Sequence, residues 1–182
     1  MNLPTTLTLI RIFLVPVLMV FLIATARPYP NAAVAVFLLA VLTDWLDGYL
    51  ARRRRQVTTL GTLLDPVADK FLIAAALISL VEVDKIPAWI VVILVGRDIA
   101  VTGLRGIAAA QGVVIAAGDW GKVKMVAEVV AVTLLILSLR GAPLADWPVR
   151  IGAVVLWGAM VIAVFSGVDY FRKFWRQVDL NR

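Results

Sequence analysis

The chain has 182 residues, is 62% hydrophobic and carries a formal net charge of +6. An ordinary soluble domain is about 45–50% apolar, so this composition points to a membrane protein with little chain left for a soluble domain. It contains no cysteine and no histidine, which excludes disulfides, Cys/His zinc sites, imidazole bases and thiol nucleophiles.

A helix needs about 20 apolar residues to span the hydrocarbon core. Six segments approach that length, at 7–26, 31–51, 62–81, 86–110, 123–139 and 147–170. The predicted fold is therefore all-α, a polytopic membrane bundle of about six transmembrane helices in one domain, 1–182. The first span follows Asn2-Leu3-Pro4-Thr5 and contains Arg11. Proline suits a first helical turn, and an arginine buried behind it needs an anionic partner. No small-residue cleavage site and soluble body follow this span, so it is expected to stay in the mature protein.

Prolines mark the next break, Arg27-Pro28-Tyr29-Pro30-Asn31, and the second span ends at the basic run from Arg52 to Arg55. In the third, Asp65-Pro66 predicts a helix start or kink, because proline disfavours helical geometry in the residue before it. Asp84-Lys85-Ile86-Pro87 and Gly141-Ala142-Pro143 mark the later connections.

With six spans, fourteen of the eighteen Lys and Arg residues fall on the side of the termini. That bias places both termini in the cytoplasm. Trp89 and Trp147 fall near the outer boundary and Trp120 and Trp175 near the inner one, as an aromatic belt would. Topology and anionic headgroups account for the basic excess, and no nucleic-acid-binding motif is present, so no nucleic-acid partner is expected.

The chemistry concentrates in Asp44-x2-Asp47-Gly48-x2-Ala51-Arg52-x8-Gly61-x3-Asp65-x3-Asp69. A carboxylate inside a bilayer costs roughly 2.5–3.5 kcal/mol by insertion scales. Helical spacing puts Asp44, Asp47, Gly48 and Ala51 on one face of the second span, and Gly61, Asp65 and Asp69 on one face of the third. Asp44 lies eight residues before Arg52, about 12 Å inside the boundary, so the stripes reach similar depth. Four carboxylates meeting there repel unless cations neutralise them, and two divalent ions roughly 3.5–4 Å apart would do so. With oxygen ligands only, hard cations are expected.

This motif resembles the full signature of the CDP-alcohol phosphatidyltransferase family, with no departure at its fixed positions. The resemblance implies displacement of CMP from a CDP-linked lipid by an alcohol. It implies that Asp44, Asp47, Asp65 and Asp69 hold two Mg2+ or Mn2+ ions and that Asp69 is also the general base. It assigns the CDP-lipid to Asn2, Thr5, Thr43, Asp47, Gly48, Ala51, Arg52 and Gly61, with the small residues leaving room for cytidine and Arg52 pairing with the diphosphate. Arg53, Arg54 and Arg55 fit topology and headgroup contact.

The N-terminal N-x-P-T-x-L-T motif, the Arg97-Asp98 pair and Gly121-Lys122-Val123-Lys124 resemble the bacterial branch of that family. That branch uses CDP-diacylglycerol as donor and sn-glycerol 3-phosphate as acceptor. Arg97, Arg105, Lys122 and Lys124 would then hold the acceptor phosphate, as converging cations do. Met125 stands where many relatives have threonine. The alternative readings are an Arg97–Asp98 structural pair and snorkelling lysines. A homodimer and a bacterial inner-membrane location, with the site toward the cytoplasm, are implied likewise, and Gly96, Gly103 and Gly106 could form a close helix contact. Rival functions are the same chemistry on inositol phosphate, serine or a second lipid, a divalent-cation transporter, or a scaffold. The acidic residues cluster in one region without the mirrored set a transporter with two related halves would show.

Overall fold

The structure is a computed structural model that describes residues 3–23, 29–54, 59–113, 115, 118–140 and 146–177, with side chains at all of these except 3–5, 7, 44–54, 59–66, 140 and 146. The described residues form six α-helices and one 3-10 turn, with no strand among them. They are α1 (Leu3–Ile23), α2 (Pro30–Arg54), α3 (Thr59–Glu82), α4 (Ala88–Ala110), α5 (Asp119–Leu137) and α6 (Asp146–Gln177), the 3-10 turn being Ser138–Arg140.

Each predicted span thus corresponds to a helix, with shifted ends. α6 continues seven residues past the predicted end at Tyr170, carrying a charged, half-exposed Lys173–Asp169 pair. α3 begins at Thr59, so Asp65-Pro66 lies inside a continuous helix rather than at its start. Proline forfeits one backbone hydrogen bond there, a local cost against an apolar helix that runs on to Glu82.

Two helix ends show why the chain turns where it does. After α3, the Lys85 N–H donates to the Leu80 carbonyl at 2.9 Å and the Asp84 N–H to Val81 at 3.0 Å. After α4, the Val113 N–H donates to Ala108 at 2.9 Å and the Gly112 N–H to Ala109 at 3.0 Å. Both are Schellman caps, which need a left-handed residue. Asp84 supplies it at φ 55° and Gly112 at φ 73°. Glycine adopts this conformation freely, and aspartate is one of the few other residues that tolerate it.

α5 and α6 share the most extensive contact, α1 packs on α2 and α3, and α4 lies against α3 and α6. The main core joins Leu18, Phe37, Leu77, Ile90, Leu94 and Leu135, while Val101, Ala108, Ile115, Tyr170 and Phe174 form a smaller cluster. Alanines at 33, 40, 68, 76, 131, 159 and 163 are fully buried. Small residues at helix contacts let backbones approach closely.

The distribution of polarity is inverted relative to a soluble bundle. Phe13, Val92, Val154 and Phe165 are each at least 70% exposed, while Arg11, Lys124 and Glu128 are buried. Buried or half-buried hydroxyls turn back on their own helices, Ser79 to Ala75, Thr133 to Val129 and Ser138 to Leu135, at 2.6–2.8 Å. Among the described residues, α6 alone is long and apolar enough to cross a membrane, and Thr8–Ile23 and Pro30–Thr43 are apolar but shorter. α4 and α5 reach the length but carry Arg97, Asp98 and Arg105, and Lys122, Lys124 and Glu128, respectively.

The α5–α6 contact turns on Gly152, where a Cβ would stand 3.0 Å from Leu135 Cγ and 3.2 Å from Leu134 Cβ. Gly158, on the same helix, has nothing within 4 Å of that position. Gly152→Val should cost about 1–3 kcal/mol through overpacking, seen as a lower unfolding temperature in detergent. Gly158→Ala should leave that temperature unchanged or slightly raised.

Candidate functional site

Helix bounds fix the depth of the aspartate motif. Only residues 55–58 separate α2 from α3, and the two helices are in contact. Asp47 lies seven residues before the end of α2 and Asp65 six residues after the start of α3, while Asp44 and Asp69 each lie ten from those ends. At 1.5 Å per residue these are depths of about 10 Å for one pair and 15 Å for the other. The motif is thus brought to two matched levels of a helical hairpin. Asn2 and the side chains of Thr5, Asp44, Asp47, Gly48, Ala51, Arg52, Gly61 and Asp65 lie outside the described residues. Thr43 is described, and its hydroxyl donates to the Ala40 carbonyl at 2.8 Å.

Asp69 is half-buried and lines a cavity of about 240 Å³ bounded by α3, α4, α5 and α6. Arg97, Arg105, Lys122 and Lys124 line the same cavity. Residues from three helices and the whole of the predicted acceptor set therefore meet around one space. Six cations and four carboxylates border it, the additional ones being Lys70, Lys173, Asp98, Glu128 and Asp169.

The four predicted cations are not equivalent. Lys124 is 3% exposed, hydrogen-bonds Asp98 Oδ2 at 2.6 Å and pairs with Glu128 Oε1 at 2.8 Å. It is committed to two carboxylates, and in turn it compensates their burial. Arg97 donates from Nη1 to Asp98 Oδ1 at 3.1 Å and from Nη2 to Ser166 Oγ at 2.8 Å. The Arg97–Asp98 pair expected as one reading is therefore present, but it is one link in a chain from Glu128 through Lys124, Asp98 and Arg97 to Ser166.

Arg105 and Lys122 stand at the exposed rim. The Arg105 guanidinium lies 5.9 Å from the centre of the Tyr170 ring, within cation–π range. Lys122 is 77% exposed and meets Asp119 at 3.2 Å, a surface pair of small energetic weight. These two are the least committed of the set.

Sequence reasoning passed over Glu128, Asp169, Lys173, Ser166 and Tyr170. Glu128 carried a usable signal, a carboxylate within the predicted span 123–139 and four residues from Lys124. With Asp98 and Asp169 it lines the cavity that Asp69 also borders. Lys173 and Asp169 are also four apart and bonded at 2.7 Å, but they straddle the predicted end of the last span. Ser166 and Tyr170 had no signal, since a serine or tyrosine in an apolar helix is ordinary.

Comparisons with known proteins bear on the family. Residues 1–165 match the model of the CDP-alcohol phosphatidyltransferase family. The chain is 41% identical to the CDP-diacylglycerol–glycerol-3-phosphate 3-phosphatidyltransferase of Bacillus subtilis, over 99% of this chain and 98% of that one. It is 32% identical to the protein of that name in Rickettsia felis, over 94% of each. It is also 34% identical to the cardiolipin synthase (CMP-forming) of Oryza sativa subsp. japonica, over 97% of this chain and 58% of that one. The matched region contains the complete aspartate motif and most of the cavity wall, and the chain belongs to the CDP-alcohol phosphatidyltransferase family.

Proposed function

We propose that the chain transfers a phosphatidyl group from CDP-diacylglycerol to sn-glycerol 3-phosphate, giving phosphatidylglycerophosphate and CMP. The carrying observation is the shared cavity, where Asp69 and the cations Arg97, Arg105, Lys122 and Lys124 border one space. A carboxylate beside phosphate-binding cations suits an acceptor with both a hydroxyl and a phosphate. The end-to-end match to relatives named for this reaction supports the same acceptor.

In this reading the acceptor hydroxyl oxygen bonds to the phosphorus that carries the diacylglycerol. The phosphorus–oxygen bond to CMP breaks, its electron pair leaves with CMP, and the hydroxyl proton passes to the Asp69 carboxylate. Asp44, Asp47, Asp65 and Asp69 would hold two divalent cations, Mg2+ or Mn2+. Their matched depths on α2 and α3 and their all-oxygen chemistry fit hard ions. When bound, such ions neutralise charge on the diphosphate and the leaving CMP. Arg52 would pair with the diphosphate. Asn2, Thr5, Thr43, Gly48, Ala51 and Gly61 would line the CDP-lipid.

The same reading makes residues 1–182 one integral membrane domain of six transmembrane helices in a bacterial inner membrane, with both termini and the site toward the cytoplasm. Support comes from the apolar exterior and buried charge, and from tryptophans at helix ends. Trp89, Trp120 and Trp147 are the second residues of α4, α5 and α6, and Trp175 is two from the end of α6. Gly96, Gly103 and Gly106 have open space where a Cβ would stand, which leaves that part of α4 accessible to a second copy in a homodimer.

Purified protein given CDP-diacylglycerol, magnesium and a panel of radiolabelled acceptors should label phosphatidylglycerophosphate from sn-glycerol 3-phosphate. Turnover of inositol phosphate or serine in its place would overturn the acceptor assignment. Asp69→Asn should lower kcat by about 10²–10⁴-fold with helical circular dichroism intact; retention of CMP release would remove Asp69 as the base. Because the chain lacks cysteine, single cysteines report topology without background. Lys85→Cys should react with an impermeant thiol reagent from the outer face of intact cells, and Gln111→Cys only after the membrane is opened.

A further inference from the structure

We propose that Ser166 and Gly167 of α6 are positioning residues that set the orientation of Arg97 toward the acceptor phosphate. The inference rests on the acceptor reading above and extends it to a part of the chain that reading does not use. Arg97 is the tenth residue of α4, and its side chain crosses to α6. Nη2 donates to Ser166 Oγ at 2.8 Å, while that hydroxyl donates its own proton to the Ala163 carbonyl at 3.1 Å. The serine proton is thereby directed away, leaving the oxygen as an acceptor for the guanidinium.

The next residue shapes the approach. A Cβ at position 167 would stand 3.2 Å from Arg97 Cγ and 3.8 Å from Nε. Glycine lets the arginine stem lie close across the α6 backbone, where a side chain would force it to shift by a few tenths of an ångström. Without the serine, the hydrogen-bond partner left to Arg97 among those described is Asp98, its neighbour on the same helix. Asp98 is itself shared with Lys124 at 2.6 Å and cannot draw the guanidinium toward α6.

Each Nη atom spends one of its two N–H groups on these contacts, and Nε makes no hydrogen bond among the described residues. Nε is buried against α6, so the donors left for phosphate oxygens are the second N–H of each Nη, on a planar fork already pre-organised for them.

The test is steady-state kinetics of the full-length protein in detergent–lipid micelles, with each substrate varied separately. Ser166→Ala should raise KM for sn-glycerol 3-phosphate about tenfold, the scale of one hydrogen bond to a charged group. KM for CDP-diacylglycerol and kcat should move less than about twofold. Ser166→Thr, which keeps the hydroxyl, should restore the acceptor KM, and Gly167→Ala should raise it.

In an Arg97→Lys background, Ser166→Ala should add nothing, because the serine acts through the guanidinium. An unchanged acceptor KM in Ser166→Ala, or an equal further loss in the Arg97→Lys background, would overturn the proposal. If Ser166→Ala fails to fold, Ser166→Cys keeps the volume with a weaker acceptor and must show the same acceptor-specific rise. Arg97→Lys alone reports on the underlying reading: an acceptor KM unmoved by that change would remove Arg97 from the phosphate site, whatever the serine does.

Discussion

Lys124 sits 3% exposed between two carboxylates, and the arrangement of α4, α5 and α6 depends on that compensation. An ammonium group buried alone would be prohibitively costly, and so would Glu128 without it. Asp98 belongs to α4 and Glu128 to α5, so the Lys124 ammonium ties the two helices together through side chains at one level. Arg97 then carries the link to Ser166 on α6. In a bundle whose exterior is apolar, hydrophobic packing gives little preference for one helix orientation over another. Buried ionic contacts are directional, and here they select which faces meet.

The same constraint explains the composition of the cavity. On the proposed reading the space receives a phosphorylated molecule and needs cations, yet cations cannot be left bare among apolar helices. Carboxylates hold the deepest of them, Lys124, while Arg105 and Lys122 at the rim are stabilised by a tyrosine ring and by solvent. The gradient runs from committed charge inside to uncommitted charge at the mouth. On the proposed reading an entering phosphate meets the freest cations first, and Arg97, with some donors engaged and others not, stands between the two groups.

Much of this architecture was legible in the sequence, for a physical reason. Helix number and order follow from apolar runs separated by Pro, Gly and charge, and all six helices lie where hydropathy placed them. Boundaries were less legible. The last turns of α6 are charged and amphipathic, so hydropathy ends at Tyr170 while the helix continues to Gln177. Pro66 pointed to a helix start or a kink; the start lies earlier, at Thr59, since a proline removes one hydrogen bond without stopping a helix. The cations that line the cavity could be named in advance because charge in an apolar segment stands out. Their hierarchy could not, since it depends on Glu128 and Ser166 arriving from other helices. Of the aspartate motif, Asp69 is described as part of the cavity, and its companions are placed by helix register alone.

The molecule divides its labour along the chain. α2 and the start of α3 carry the aspartate motif that defines the family, and α4, α5 and α6 carry the cations and their supports. Asp69 lies where the two halves join, on a helix of the first and on the cavity of the second. Relatives named for different products match this chain at comparable identity, 32% for one phosphatidyltransferase and 34% for a cardiolipin synthase. Identity at that level does not by itself separate acceptors; the 41% match over nearly the whole of both chains weighs toward the phosphatidyltransferase, and on the proposed reading the choice is made by a few side chains around the cavity. Discrimination of that kind is strongest where a site is built to pair a substrate's polar groups, because a molecule lacking them leaves buried donors unsatisfied. On the proposed reading, a serine that holds one arginine at a fixed angle can therefore influence substrate choice more than many apolar substitutions elsewhere in the bundle.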